Sequence, residues 1–132
     1  MDPRWLQPYG LAPASLAGLL PVSAQVTTHF HVKELLKISG PALLPVIDDF
    51  APLHFASKGL PPICLTTGDQ RIEFKSRVEE NELFYVTLKN LEHPDVEFHE
   101  IKDLDHATVT RGAAPIMPVF MERISKALDL RK

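Results

Sequence analysis

"LPPICLTTGDQRIEF", residues 60–74, sets a proline pair before a short apolar run that stops at Thr-Thr-Gly-Asp. Pro61 and Pro62 carry no amide proton for a ladder, so a strand is expected to open behind them and to run from Ile63 to Thr67. Gly68 and Asp69 have the chemistry of a turn. Downstream, Phe74, Val78, Tyr85, Leu88 and Leu91 recur at helical spacing, and His93-Pro94-Asp95 closes that helix. "VEFHEI", Val96 to Ile101, is the next expected strand, and "KDLDHATVTRG" the loop after it. Ile116, Phe120, Ile124 and Leu128 stripe a final helix, with Lys126, Arg131 and Lys132 near its carboxyl end, where positive charge is favoured.

Upstream, prolines are dense through position 62, which predicts short elements joined by ordered loops. "DPRWLQPYGL" is a turn or short helix broken at Pro8 and Gly10, and a helical turn is expected at Pro13 to Leu16. Ala17 to Ser23, nearly all apolar, suits a strand covered on both faces, as in a parallel sheet. "HVKELLKI" is a short helix ended by Ser39-Gly40-Pro41, and "LLPVIDDFAPLHFASKG" a connector broken at Pro45 and Pro52. Strands alternating with helices imply an α/β fold with a mostly parallel sheet and flanking helices. About three strands are foreseen, few for such a sheet.

The 132 residues are 45% hydrophobic with a formal net charge of −3, which is ordinary for one soluble domain. No Lys/Arg block interleaves with aromatics, so no nucleic-acid partner is expected. No apolar run approaches the ~20 residues that span a bilayer, and "MDPRWLQPYG" lacks the basic start and apolar centre of a signal peptide. No membrane association is expected, and a cytoplasmic location is the default. Cys64 is the only cysteine, which excludes an internal disulfide and a cysteine-rich zinc site. It is expected to be a buried small hydrophobe.

Sites in open parallel sheets lie at the carboxyl ends of the strands. Two polar loops fall there: Gly68-Asp69-Gln70-Arg71 and Asp103-Leu104-Asp105-His106. An acid on one and a histidine on the other make an acid–histidine pair, in which the carboxylate fixes the tautomer and stabilises the imidazolium. The bland alternatives are a loop histidine without a partner and an Asp69 that only closes an Asx turn.

The pieces "DPRWLQPYGL" with "AGLLPVSAQVTTHF", "FAPLHFASKGLPPICLTTGD", "RVEENELFYVTLKN" and "LDHATV" together resemble the carboxyl-terminal half of an α/β-hydrolase. The likeness is to the esterase/lipase-like carboxylesterases that include feruloyl-esterase-like proteins, and it covers nearly the whole chain, 1–132. The resemblance implies a partial α/β-hydrolase fold and a serine-type carboxylic-ester hydrolase acting on a small-molecule ester. It makes His106 the general base. Arg71 stands where the family usually carries its acid, and a cation there disfavours the imidazolium. Asp69 is the preferred substitute acid and Glu73 the second. The nucleophile is missing: none of Ser15, Ser23, Ser39, Ser57, Ser76 and Ser125 sits in Gly-x-Ser-x-Gly, and no His-Gly-Gly stretch supplies oxyanion-hole amides. Ser23, at a strand end without flanking glycines, is expected to be structural. By the resemblance, the chain begins just downstream of its serine, so the chain alone is expected to be inactive.

No cofactor and no metal site are expected. His29-Phe30-His31 has ligand spacing but lacks an evident third ligand, so it is taken as a polar loop near a substrate entrance. Glu79, Glu80 and Glu82 are expected on a solvated helix face, and Asp48-Asp49 at a helix cap or, alternatively, lining a pocket. Trp5 and Tyr9 either pack on the sheet edge or are exposed where a missing half would sit. The alternative to an esterase is a non-catalytic α/β remnant that self-associates through an exposed sheet edge. Self-association is expected either way.

Overall fold

A computed structural model describes residues 2–129, and Arg131 and Lys132 of the expected basic helix end lie outside the described residues. The strand β1, Ile63–Thr67, opens behind the proline pair as its sequence requires, and all five residues are buried. It pairs in parallel with β2, Val96–Glu100, in the register Ile63↔Val96 through Thr67↔Glu100. Between them runs the helix α2, Arg77–Asn90, so residues 63–100 form one strand–helix–strand unit.

The helix starts one turn later than its apolar spacing predicts. Ser76 sits in the left-handed region at φ 64°, and Phe74 falls in the loop before it. Glu79 and Glu80 then occupy the first turn, where negative charge suits the helix dipole. The face turned inward carries Arg77, Val78, Asn81, Phe84 and Leu88. Of the expected stripe, Val78 and Leu88 are buried, Tyr85 is half-buried, and Phe74 and Leu91 are exposed.

Side chains alternate across β1, so its two faces feed two cores. Ile63 and Leu65 pack with Phe84 and Leu88 of α2 and with Val26, Leu53 and Leu60 from the connectors. Cys64 points the other way, against Phe120 and Ile124 of the helix α4, Ile116–Asp129. The result is a small two-strand parallel sheet with helices on both faces.

The third strand foreseen at Ala17–Ser23 is reduced to isolated parallel bridges, Leu19↔Ile63 and Val22↔Thr66, on the other side of β1 from β2. Pro21, which cannot donate, and Ser23, at φ 44°, account for the interrupted ladder. Upstream, 3-10 turns cover Pro3–Trp5, Gln7–Tyr9 and Pro13–Ser15, with Gly10 left-handed at φ 68°. A short helix α1 spans Phe30–Leu35, and a 3-10 turn spans Pro52–Phe55. The stretch after β2, expected as loop, contains a short helix α3, Val109–Ala113. No helix among the described residues is long and apolar enough to cross a membrane.

Candidate functional site: a carboxylate–histidine pair at the strand ends

Both polar loops emerge at the carboxyl ends of β1 and β2 and are tied to each other. The Asp69 amide donates to the Leu104 carbonyl at 2.7 Å. Gly68 is required at this crossing, because a Cβ there would press into the Leu104 carbonyl oxygen and Glu73 Oε2. The Asp69 carbonyl then accepts from the Ile72 and Glu73 amides at 2.9 and 2.8 Å, turning the chain back so that Glu73 points under the strand end.

The carboxylate that reaches His106 is Glu73. Its Oε1 lies 3.1 Å from His106 Nδ1, and its side chain is only 1% exposed. Burying a carboxylate is costly unless its lone pairs are used. Here Oε2 accepts from the Gly68 amide at 2.9 Å and Oε1 from the Phe74 amide at 2.8 Å.

Asp69, the preferred acid on sequence grounds, is turned elsewhere. It accepts from Arg71 Nε at 2.8 Å and from the Arg71 and Asp103 amides at 3.0 and 2.9 Å, and it pairs with Arg71 Nη2. The Arg71 side chain, bonded from the same turn, holds the Asp69 carboxyl far below the usual carboxylate range. The same clamp keeps the Arg71 cation away from His106. Arg71 is spent on Asp69 and on Asp103, 2.8 Å away, and Asp69 pushes the guanidinium up from its ordinary value. Asp69 and Arg71 thus join the two loops and pose Glu73.

His106 is presented by its own turn. Asp105 Oδ1 accepts from the Ala107 and Thr108 amides and from Thr108 Oγ, and the Thr108 hydroxyl holds this carboxyl below its ordinary value. The Asp105 carbonyl accepts from the Thr108 and Val109 amides, leading into α3. The imidazole is half exposed, and its Nε2 has no hydrogen-bond partner among the described residues.

The sequence pattern missed Ser23. Its hydroxyl lies 2.8 Å from His106 Nδ1, although 83 residues separate them. Its left-handed backbone and its burial mark it as a built position. Glu73 and Ser23 meet the same ring nitrogen. A deprotonated Nδ1 would set a lone pair against a buried carboxylate. The favoured tautomer therefore carries the proton on Nδ1, which donates toward Glu73 and Ser23, and leaves Nε2 as the base. In that tautomer His106 does not accept the Ser23 proton, so Ser23 steadies the ring and is not activated by it.

Beside the pair, ring centroids run from His29 to Phe30 at 4.1 Å, Phe30 to Phe74 at 6.4 Å and Phe74 to His106 at 6.0 Å. His29, expected in a polar loop, caps α1 by accepting from the His31 amide, and His31 faces Glu34 at 3.4 Å. Asp48 accepts from the Phe50 amide two residues on and so closes an Asx turn. Asp49, exposed, faces Arg4 and His54. Glu80 departs from the solvated face expected of it, accepting from the Val26 and Thr27 amides at 3.3 Å each. Trp5 and Tyr9 are exposed.

No family model, no curated protein and no solved structure matches this chain.

Proposed function

We propose that the chain carries the acid–base half of a serine-type carboxylic-ester hydrolase of the α/β-hydrolase kind, with His106 as general base and Glu73 as its acid. The observation that supports this reading is the buried Glu73 carboxylate 3.1 Å from Nδ1 of a half-exposed imidazole whose Nε2 is open. A serine arriving at Nε2 would give up its proton there as its oxygen attacks the ester carbonyl. The imidazolium, held by Glu73, would return that proton to the leaving alcohol, and water would then release the acyl group by the same steps. A nucleophile and oxyanion-hole amides would have to be brought to Nε2 of His106 by another segment.

The test is turnover of a p-nitrophenyl ester by the chain alone and by the chain mixed with a segment bearing Gly-x-Ser-x-Gly. Alone, the chain and its His106→Ala variant should be indistinguishable. The mixture should hydrolyse ester, and His106→Ala or Glu73→Gln should abolish the gain. Hydrolysis by the mixture that survives His106→Ala would sink the reading.

A second reading, a self-associating α/β remnant, has its own support. Leu19 donates to Pro62 just before β1 and Ser23 donates to Thr66, and the Leu19 and Pro21 carbonyls accept from Cys64 and Thr66, so the backbone groups of Leu20 and Val22 face the other way. Beside that edge lies a hollow of about 530 Å³ lined by Trp5, Leu19, Leu20, Phe50, Phe55 and Phe84 among others. A second copy covering it would appear as a concentration-dependent dimer in sedimentation, and Leu20→Glu should dissociate it.

A further inference from the structure

Parallel pairing sets three side chains of metal-ligand type on one face of the sheet, away from the Glu73–His106 pair. Cys64 of β1 is in register with Glu97 of β2, and His99 follows Glu97 by two residues, on the same face. The thiol sulfur, a Glu97 carboxylate oxygen and a His99 ring nitrogen all lie within 4.8 Å of one another. His99 Nε2 is 3.1 Å from Glu97 Oε2. Around a tetrahedral zinc ion, nitrogen and oxygen ligands sit about 3.3 Å apart and sulfur about 3.6 Å from either. The nitrogen and oxygen already have that spacing, and the sulfur needs to close by at most roughly 1.2 Å, within reach of side-chain rotation.

We propose that Cys64, Glu97 and His99 form a binding site for a divalent transition-metal ion of the zinc type, with one coordination position left to water or an exogenous ligand.

The donor set selects the ion. Thiolate, imidazole and carboxylate together suit zinc and its chemical neighbours, whereas magnesium and calcium take oxygen alone. Charge balances as well, since one thiolate and one carboxylate neutralise a dication. The thiol loses its proton to solvent as the metal–sulfur bond forms.

The surroundings fit the same reading. Arg123 Nη2 donates to Glu97 Oε1 at 2.7 Å, which leaves Oε2 for the metal and fixes the carboxylate's orientation. The charge of Arg123 is met by its two-pronged pairing with Asp95 at 2.7 and 2.9 Å. Phe120 and Ile124 close the site on the α4 side, and the half-exposed Glu97 and His99 side chains open it at the β2 edge.

The experiment is titration of chelator-treated full chain with Co²⁺, followed by displacement with Zn²⁺. One equivalent of Co²⁺ should raise a thiolate-to-cobalt charge-transfer band in the near ultraviolet, and Zn²⁺ should bleach it. Cys64→Ser should abolish the band. His99→Gln, at a half-exposed position that keeps the fold, should weaken binding by more than about tenfold, while His31→Gln should leave it unchanged. Circular dichroism checks that each variant is folded. Absence of the band in the folded wild-type chain would overturn the proposal, as would a band or an affinity indifferent to His99→Gln.

Discussion

Replacing Glu73 by Gln tests how His106 is held. The carboxylate receives one backbone amide on each oxygen, Gly68 on Oε2 and Phe74 on Oε1, and it faces His106 Nδ1 from Oε1. An amide group has one carbonyl oxygen, so glutamine can serve only one of those amides and must aim its own N–H₂ at the other. A hydrogen bond to a charged group contributes about 1.5–3 kcal/mol, and a buried donor facing a donor is left unsatisfied. The expected loss is therefore about 2–3 kcal/mol in urea unfolding. At roughly 3–5 °C per kcal/mol for a chain of this size, that lowers Tm by roughly 6–15 °C. The imidazole should change with it. In the native chain the ¹⁵N shifts of His106 should report a proton on Nδ1, and in Glu73→Gln the two tautomers should mix. A native His106 protonated on Nε2, or ¹⁵N shifts that ignore the substitution, would refute the reasoning.

Other outcomes follow from the same contacts. Leu88, fully buried between α2 and the sheet, should lose about 2–5 kcal/mol on replacement by Ala, read by urea unfolding. Gly68→Ala, with its Cβ driven into Leu104 and Glu73, should cost about 1–3 kcal/mol and scramble the His106 tautomer, whereas Gly59→Ala, in open space, should do neither. The Asp69 carboxyl is held low in the folded chain. Its stabilising contribution is thus present above the unfolded carboxylate range, about pH 4, and is lost as pH falls further; Asp69→Asn should flatten the acid limb of the stability–pH profile. Ser23→Ala should leave the proton on Nδ1, because Glu73 alone suffices to hold it there, and the same ¹⁵N spectrum decides this.

Much of the frame was legible because it rests on local chemistry. The proline pair, the turn at Gly68 and the alternation through Ile63–Thr67 each act over a few residues, and β1 falls where they place it. The start of α2 was misread, since Phe74 continues the apolar spacing while the left-handed Ser76 delays the helix. The meeting of the two strand-end loops followed from strand order, but which carboxylate lies against His106 did not. Asp69 is nearer the strand end, and only the Arg71 clamp, which folds back within the same turn, hands the imidazole to Glu73. Ser23 and the Cys64–Glu97–His99 cluster depend on which strands are neighbours and in what register. That information is non-local, and no spacing along the chain encodes it.

The placement of β1 has a kinetic consequence. Its backbone is bonded to β2 on one side and to Leu19, Pro21 and Ser23 on the other, and parallel neighbours can meet only after a long crossover has closed. Chain entropy is spent on that closure before any contact repays it. The Glu73–His106 contact, spanning 33 residues, should therefore form late in assembly, after α2 has docked. The amides of Ile63, Cys64 and Thr66, each donating to a neighbouring segment, should be among the slowest-exchanging protons in a hydrogen-exchange experiment.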